Sequence, residues 1–486
     1  MKKQLPLALS TLILSSVTAL SLFGCGGTAN DPKTLNVIVL NAGYGDQWIK
    51  NIQADWESAN PDYKINLTAS YEAKSLIQKH IASKNNNDDL YISVGADWKS
   101  YAAQGYFAEL DDFINEESEG KTIKTRVNSE YQKSLSFTGK DGNNHTYRLP
   151  WIAGIGGIYY NAQMFADNGW DAWLKATYPT NTTGEPETYD QLIALMGKIN
   201  SDKVPVDNDL TATVKPFVYT GQNTDYFDYA VYTWWSQLAG TESIETFLKY
   251  EDPTVYDASV KGSAYSYLKE ATGLWDGIFN NPNNYVEGSS SKSNHQAQQN
   301  FLNGYSAMMF DGEWLYNEML KYTSSGTLPD SFKLKIMKTP TAPNASYPNA
   351  SYIVGEDQFM AIPESSTKKD LAKSFLKSVI SEKGCRTFLN DGHGMMAYDF
   401  DATGIHEDNT FISSVVSYKK NTTSTFTNFS SNLMYLSNII DVWGTSAMRP
   451  FQGMLSNTAT LDSSFETIAS ETTRQWDTWK KQAGIK

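Results

Sequence analysis

The chain has 486 residues, of which 13% are aromatic and 19% charged, and its formal net charge is −14 at pH 7. This net negative charge argues against binding of nucleic acid or anionic lipid headgroups, because both require clustered lysine and arginine. Single hydrophobic cores stop growing at about 250 to 300 residues, so the length predicts two lobes with a cleft between them.

The first 33 residues predict a secretion signal followed by a tether. Two lysines precede an apolar run over residues 5–22, which is the pattern of a signal peptide. Leu22-Phe23-Gly24-Cys25 resembles the lipobox, where bacterial signal peptidases cut before a cysteine that carries lipid. An ordinary secretory signal is the alternative. We expect residues 1–24 to be a lipoprotein signal peptide, Cys25 to be lipidated, and residues 25–33 to tether the protein to the extracellular face of the cytoplasmic membrane.

The rest of the chain carries no sign of a membrane span or a disulfide framework. No later apolar run approaches the roughly 18 residues needed to cross a bilayer. Cys385 is the only cysteine beyond Cys25, so lipidation of Cys25 would leave no partner for an intramolecular disulfide. The stability of the fold is therefore expected to come from its hydrophobic cores.

The segment after the tether predicts a βαβαβ unit. Residues 35–40 read as an apolar strand covered on both faces. A helix after Asp46 carries apolar side chains at spacings of four and three and ends before Pro61. A short strand at 65–67, a helix around 76–81 and a strand at 90–94 follow. Open α/β sheets bind ligands beyond the carboxyl ends of their strands, so the loops after the first and third strands become candidate sites.

The remaining elements predict a second lobe and a return to the first. A glycine-rich strand near 154–160 is expected to cross between lobes, and helical periodicity dominates from about 161 to 300. A strand at 306–310 and a helix at 314–322 precede a return crossing near 352–363, and a helix over 369–380 completes the first lobe. We expect lobe 1 to comprise 34–150 and 352–398, and lobe 2 to comprise 151–351 and 399–486.

Three segments carry a family resemblance. Residues 88–94, with Asp97-Trp98 and 101–110, form a strand, a loop and a helix. Residues 301–314 contain a Gly, a small residue and Met, followed by Gly-x-Trp, and are the most specific of the three. Residues 372–377 and 382–384 lie in a late helix and just after it. In this order the segments resemble the sugar-binding family of extracellular solute-binding proteins of bacterial ABC importers, which includes maltose-binding protein.

The resemblance implies an α/β, two-lobed periplasmic-binding-protein fold of type II. Each lobe would be a mostly parallel sheet flanked by helices, and hinge strands would join the lobes, which close over a ligand. The resemblance also implies delivery of that ligand to the permease subunits of an ABC transporter. We expect a monomer that has no cofactor and is not an enzyme.

The aromatic content predicts an oligosaccharide as the ligand. The chain contains 13 Trp and 29 Tyr, and many lie in predicted loops beside acidic or amide side chains. A pyranose offers an apolar face and a rim of hydroxyls, which suit flat rings and oriented polar groups. The candidate ligand contacts are Tyr44, Asp46, Asp97, Trp98, Trp151, Trp234, Trp235, Glu313, Trp314, Glu356, Trp443 and Arg449.

Most of these candidates also have a structural interpretation. The carboxylates of Asp46 and Asp97 could cap helices, and Trp98 and Trp314 could belong to the cores. Successive residues on a helix point in different directions, so at most one of Trp234 and Trp235 should face a cleft. Trp151 and Glu356 could pack at the hinge. The resemblance assigns sugar stacking to Trp443, near which Arg449 could bind hydroxyls or pair with a carboxylate.

Two other classes of function stay open. An extracellular glycoside hydrolase would need two carboxylates flanking the scissile bond, for which Asp97 and Glu313 are candidates. A binder of polyamine, peptide or metal on the same fold is the other alternative. The five histidines show no metal-ligand spacing, and no G-x-S-x-G motif is present. The sequence thus predicts no catalytic residue and no metal site.

Overall fold

The structure is a computed structural model that describes residues 31–95, 98–132, 134–247, 253–353, 357–406, 409–422, 424–426 and 450–482. The predicted signal peptide, Cys25, and the predicted site residues Asp97, Glu356, Trp443 and Arg449 lie outside these ranges. Within the described ranges, no helix combines the length and the apolar character needed to cross a membrane.

The structure contains strands and helices in alternation. The strands are β1 Thr34–Leu40, β2 Lys64–Ser70, β3 Leu90–Val94, β4 Glu117–Ser118, β5 Lys121–Thr122, β6 Ser136–Thr138, β7 Asn144–Thr146, β8 Gly156–Asn161, β9 Pro205–Val206, β10 Asp209–Thr213, β11 Lys215–Val218, β12 Ser306–Gly312, β13 Leu334–Met337, β14 Ala350–Tyr352, β15 Gln358–Ala361 and β16 Ser424–Phe426. The helices are α1 Gln47–Ala59, α2 Ala73–Ile81, α3 Trp98–Ala103, α4 Asp111–Ile114, α5 Ile123–Arg126, α6 Ser129–Gln132, α7 Ala162–Asp167, α8 Trp170–Thr177, α9 Tyr189–Asp202, α10 Asp228–Ala239, α11 Thr241–Phe247, α12 Ala264–Phe279, α13 Asn294–Leu302, α14 Leu315–Leu320, α15 Lys369–Val379, α16 Glu382–Gly392 and α17 Thr410–Asn421, with two further helices at Pro450–Leu455 and Leu461–Gln482. Short 3-10 turns lie at Thr224–Phe227, Pro253–Tyr256, Pro282–Asn284 and Ser289–Ser291.

The first lobe contains the predicted βαβαβ unit. Its sheet has the order β15-β3-β1-β2, in which β1 pairs in parallel with β2 and β3 while β15 runs antiparallel to β3. The buried face of α1 carries Trp48, Ile52 and Trp56 at intervals of four, as the spacing predicts. This face packs on α15 and α16, which follow the return crossing. The carboxyl ends of β1 and β3 therefore lie at one edge of a well-packed sheet.

The second lobe is built on a sheet with the order β11-β12-β8-β13. β11 and β12 pair in parallel, but β8 is antiparallel to both β12 and β13. Both sheets are mixed: three of the four strands in each run in the same direction, and one strand, β15 in the first sheet and β8 in the second, runs opposite to them. β8 runs opposite to β12 because β8 begins beside the crossing between the lobes, whereas β12 ends beside that crossing.

The crossings between the lobes are paired with one another. Bridges join Leu149 to Met360, Ile152 to Met396, and Ile155 to Ile353. The Ala153 N–H also donates to the Met395 carbonyl at 2.7 Å. These crossings form the hinge, and the lobe boundaries near them stay predictions.

Candidate functional site

A connected series of aromatic rings runs from the first lobe through the hinge to the second. Trp48 of α1 stacks on Trp151 of the crossing, with ring centroids 5.9 Å apart. Tyr44, which follows β1, packs edge-on against Trp151 at 5.8 Å and against Trp314 at 6.4 Å. Trp314 follows β12 of the second lobe, so the series joins the carboxyl ends of β1 and β12. This is the part of an α/β fold where ligands bind.

Trp314 lies between the two lobes. Its half-buried ring packs against the hydrophobic clusters of both lobes. A Cβ on Gly312 would lie 2.2 Å from the indole ring, and a Cβ on Gly43 would lie 2.4 Å from the Trp314 Cβ. Both positions therefore require glycine. For Gly312, the clash explains why the Gly-x-Trp pattern places a glycine two residues before the tryptophan. The exposed part of the ring remains open to a ligand.

Two tyrosines that the sequence reasoning missed extend the aromatic series. Tyr226 and Tyr229 pack edge-on against Trp314, with centroid distances of 6.4 and 6.1 Å. Tyr226 is half-buried, whereas Tyr229 is buried. Both follow β11, the strand parallel to β12. The sequence analysis predicted no strand there, so the rule about the carboxyl ends of parallel strands was not applied to these residues.

Glu313 faces the hinge. Its side chain is fully buried, and one carboxylate oxygen, Oε1, accepts from the Tyr44 hydroxyl and the Gly154 N–H, each at 3.1 Å. The other oxygen accepts from the Met395 N–H at 3.0 Å. Burial raises the pKa of Glu313 to about 7 in spite of these hydrogen bonds. Three segments of chain thus converge on one carboxylate, and its contact with a ligand stays a prediction that this geometry does not favour.

A polar group lies beside Trp314. Gln298 Nε2 donates to the Asp311 carboxylate at 3.1 Å and to the Glu318 carboxylate at 2.6 Å. Burial, and then the charge of Glu318, raise the pKa of Asp311 well above its ordinary value. The side chain of Trp314 also hydrogen-bonds Asp311. Oriented amide and carboxyl groups next to flat rings are the combination that a sugar requires.

Asp46 and Trp98 occupy structural positions in the first lobe. Asp46 precedes α1, but its carboxylate makes no cap hydrogen bond and instead pairs with Lys50 at 2.8 Å. Trp98 is 1% exposed and packs edge-on against Phe137. The guanidinium of Arg148 lies 4.8 Å from the centroid of the Trp98 ring, in the geometry of a cation–π contact. Ligand contact by these two residues stays a prediction, and the packing of Trp98 does not favour it.

The other predicted tryptophans are also packed. Trp151 is 1% exposed, and its indole N–H donates to the Ser93 carbonyl at 3.1 Å. Trp234 and Trp235 are both 0% exposed in the core of the second lobe. Their indole N–H groups donate to the carbonyls of Pro340 at 2.8 Å and Ala264 at 2.7 Å. The rings of Trp234 and Trp235 are buried and both indole N–H groups have carbonyl partners. Ligand contact by this pair therefore stays a prediction that the packing does not favour.

One group of side chains has the composition of a metal site. Potential ligand atoms of Glu109, Asp111 and His145 lie within 4.8 Å of one another. His145 Nδ1 is 2.6 Å from Asp111, and Nε2 is 3.1 Å from Asp141. These two hydrogen bonds raise the pKa of His145 to about 9, so the imidazole is protonated near pH 7 and itself binds the carboxylates. The arrangement is explained as an ion-pair cluster.

Two surface cavities lie away from the aromatic series. One, of about 880 Å³, is lined by residues at the amino ends of β1 and β3, including Asn36 and Asp88. The other, of about 760 Å³, lies on the second lobe beside α7 and is lined in part by Met164 and Leu302. Neither cavity is lined by a residue of the aromatic series.

Two α/β lobes, a paired hinge and an aromatic series that ends in a half-buried Trp define a class of protein that encloses a ligand between lobes. The chain belongs to the bacterial extracellular solute-binding protein family, whose profile matches residues 41–384. This result confirms the resemblance seen in the sequence.

Individual relatives agree with this assignment. The chain is 23% identical over 377 residues to the diacetylchitobiose binding protein DasA of Streptomyces coelicolor, which covers 75% of each chain. It is 24% identical over 159 residues to the multiple sugar-binding protein of Streptococcus mutans, which covers 32% of each chain. A solved chitin oligosaccharide binding protein superposes with a TM-score of 0.62 at 16% identity, covering 92% of this chain and 100% of that one. The solute-binding protein RafE in complex with raffinose gives a TM-score of 0.60 at 15% identity, covering 90% and 99%. These structures confirm the two-lobed α/β fold.

Proposed function

We propose that this protein captures an oligosaccharide between its lobes outside the cell and delivers it to the permease of an ABC importer, without altering the sugar's bonds. The observation that carries the proposal is the half-buried ring of Trp314, which lies between the lobes and contacts Tyr44 on one side and Tyr226 on the other. A flat ring with one open side can stack on the apolar face of a pyranose.

The polar surroundings of the ring support the same ligand class. Gln298, Asp311 and Glu318 lie next to Trp314 and are linked by hydrogen bonds through Gln298, which orients one amide and two carboxyl groups beside the ring. The names of the relatives, which refer to diacetylchitobiose, chitin oligosaccharides, raffinose and multiple sugars, point to carbohydrate as well.

We further propose that Cys25 anchors the protein to the outer face of the cytoplasmic membrane. A diacylated cysteine supplies two acyl chains, the number needed for a stable anchor. Mass spectrometry of the mature protein tests this proposal. A chain that begins at Cys25 and carries the mass of the acyl groups is expected, whereas an unmodified amino terminus would show an ordinary secretory signal.

Isothermal titration calorimetry tests the ligand class. The panel comprises diacetylchitobiose, raffinose and malto-, xylo-, galacto- and manno-oligosaccharides, with a polyamine and a peptide as non-sugar comparisons. We expect at least one sugar to bind and the non-sugar compounds to give no signal. Binding of polyamine or peptide alone would overturn the ligand class, and release of sugar products after long incubation, seen by chromatography, would favour the hydrolase.

A further inference from the structure

The chain from Glu313 to Lys321 presents one row of polar side chains to the first lobe. Glu313, Asn317 and Lys321 are spaced four residues apart along α14 and its flanks. Side chains at this spacing lie on one face of a helix. Each of the three makes a hydrogen bond to a residue of the first lobe, as the following distances show.

The three residues lie at increasing distance from the hinge, and their side chains become more exposed in the same order. At the hinge, the buried Glu313 accepts from the Tyr44 hydroxyl at 3.1 Å. In the middle, Asn317 Nδ2 donates to the carbonyls of Gly392 at 2.8 Å and Tyr44 at 3.3 Å. Both partners of Asn317 are carbonyl oxygens, which only accept, so the side chain must present its NH₂ group to the first lobe.

At the mouth of the cleft, the outermost member of the row reaches an exposed ring. Lys321 Nζ donates to the Tyr71 hydroxyl at 2.8 Å and lies 5.2 Å from the centroid of the same ring. Tyr71, in the turn after β2, is 61% exposed. This exposed ring is the partner that Lys321 contacts across the cleft.

We infer that Glu313, Asn317 and Lys321 form a closure latch: three positioning residues that hold the second lobe against the first, in the ligand-free protein as well as when a ligand is enclosed. The latch residues lie on α14 and its flanks, and Trp314 is the residue just before α14. Formation of the latch hydrogen bonds therefore fixes the position of the Trp314 ring relative to Tyr44. This inference rests on the proposed capture of a sugar by lobe closure. It adds the residues that stabilise the closed arrangement and act without touching the sugar themselves.

The test uses Asn317→Asp in the purified protein. The variant keeps the size of the side chain but turns a carboxylate towards two carbonyl oxygens, so it should repel the first lobe. We expect small-angle X-ray scattering to give a larger radius of gyration for the ligand-free variant than for the wild type. Calorimetry should show about tenfold weaker binding of the tightest sugar in the panel. Gln299→Ala, at an exposed position of the neighbouring helix α13, is the matched control and should match the wild type in both measurements.

A second pair of variants decides the inference if Asn317→Asp does not fold. Tyr71→Phe and Lys321→Ala change exposed groups at the mouth of the cleft and leave the cores intact. Each should weaken sugar binding by about threefold, and the double variant should be no weaker than Lys321→Ala alone, because both remove one contact. If the loss of affinity in the double variant equalled the product of the losses in the two single variants, Tyr71 and Lys321 would not share one contact.

The outcomes separate this inference from the proposed function. If the wild type binds a sugar while Asn317→Asp shows unchanged affinity and unchanged scattering, the latch is wrong and the proposed function stands. If the wild type binds none of the sugars, the proposed function fails, and the scattering of the ligand-free proteins alone decides the latch. In that case an unchanged radius of gyration for Asn317→Asp would overturn it.

Discussion

Trp314 and Trp235 belong to the same lobe, yet they occupy opposite kinds of environment. Trp235 lies within α10, a helix whose side chains from Tyr229 to Ala239 are all buried, and its indole N–H is bound by the Ala264 carbonyl. Trp314 follows a strand, packs against Gly312 and Gly43, where a Cβ would clash with its side chain, and keeps part of its ring exposed between the lobes. A tryptophan thus keeps part of its ring exposed where glycines lie next to it, and it is buried in the core where a helix surrounds it with side chains.

The largest expected effect follows from the core side of this comparison. Trp235→Ala should lower the free energy of unfolding by about 3–5 kcal/mol, because it leaves a large cavity in a closely packed core. Urea denaturation measures this change. The folded fraction of the variant should still bind sugar with wild-type affinity. Loss of sugar binding without loss of stability would show that Trp235 contacts the ligand, as the sequence allowed.

The next effect concerns the carboxylate beside Trp314. The pKa of Glu313 in the folded protein is raised to about 7 from an ordinary value of 4.5. A raised pKa of an acid means that the folded state binds the proton more tightly than the unfolded state. Its contribution to stability is therefore fully present below pH 4.5 and is lost as the pH rises through about 7. The loss amounts to about 3 kcal/mol, since one pKa unit corresponds to about 1.4 kcal/mol.

Glu313→Gln isolates this titration from those of other groups. Urea denaturation of wild type and variant across pH 4 to 8 should show the wild type losing about 3 kcal/mol relative to the variant as the pH rises. The difference should flatten above the pKa. A difference in free energy of unfolding between wild type and variant that stays constant over this range would mean that the Glu313 carboxylate is exposed to solvent. Glu313 would then not differ from Trp314 in burial.

The platform side of the comparison predicts an effect on binding. Trp314→Ala should weaken sugar binding by about 30-fold or more, because a central aromatic contact typically contributes 2 kcal/mol or more. Thermal unfolding should change little, since the ring is only half-buried. Calorimetry and a melting curve measure the two quantities. Trp173→Ala, which removes another half-exposed tryptophan of the same lobe on α8, is the control and should bind normally. A Trp314→Ala protein that unfolds instead would place the ring in the core.

Much of the fold follows from local patterns. The first strand, the buried face of α1 and the third strand were predictable because a short apolar run and a period of about four residues record burial directly. The sequence singled out Trp314 through the Gly-x-Trp pattern that it shares with the family, and its contact with a ligand stays a prediction. Such features depend on neighbours in sequence, which a single chain displays.

The parts that could not be predicted depend on distant residues. The hydrogen bond between Tyr44 and Glu313 joins positions 269 residues apart, so no local pattern records it, and Glu313 looked like a ligand contact because of its neighbour Trp314. Trp98 also looked like a ligand contact, because it follows a strand, yet Arg148 and Phe137 cover it from elsewhere in the chain. Tyr226 was missed because β11 is parallel to β12 only through a pairing of distant segments.

The smallest expected effect sharpens the role of Tyr226. Its hydroxyl accepts from Asn294 Nδ2 at 3.1 Å, and its ring packs on Trp314. Tyr226→Phe removes the hydroxyl and keeps the ring, so sugar binding should weaken only about two- to threefold, the effect of one neutral hydrogen bond. Tyr316→Phe, whose ring stacks on Phe411 within the second lobe, is the matched control and should leave calorimetric affinity unchanged. A loss as large as that of Trp314→Ala would instead assign the recognition to the hydroxyl, and the aromatic platform would then be secondary to a polar contact that the sequence did not reveal.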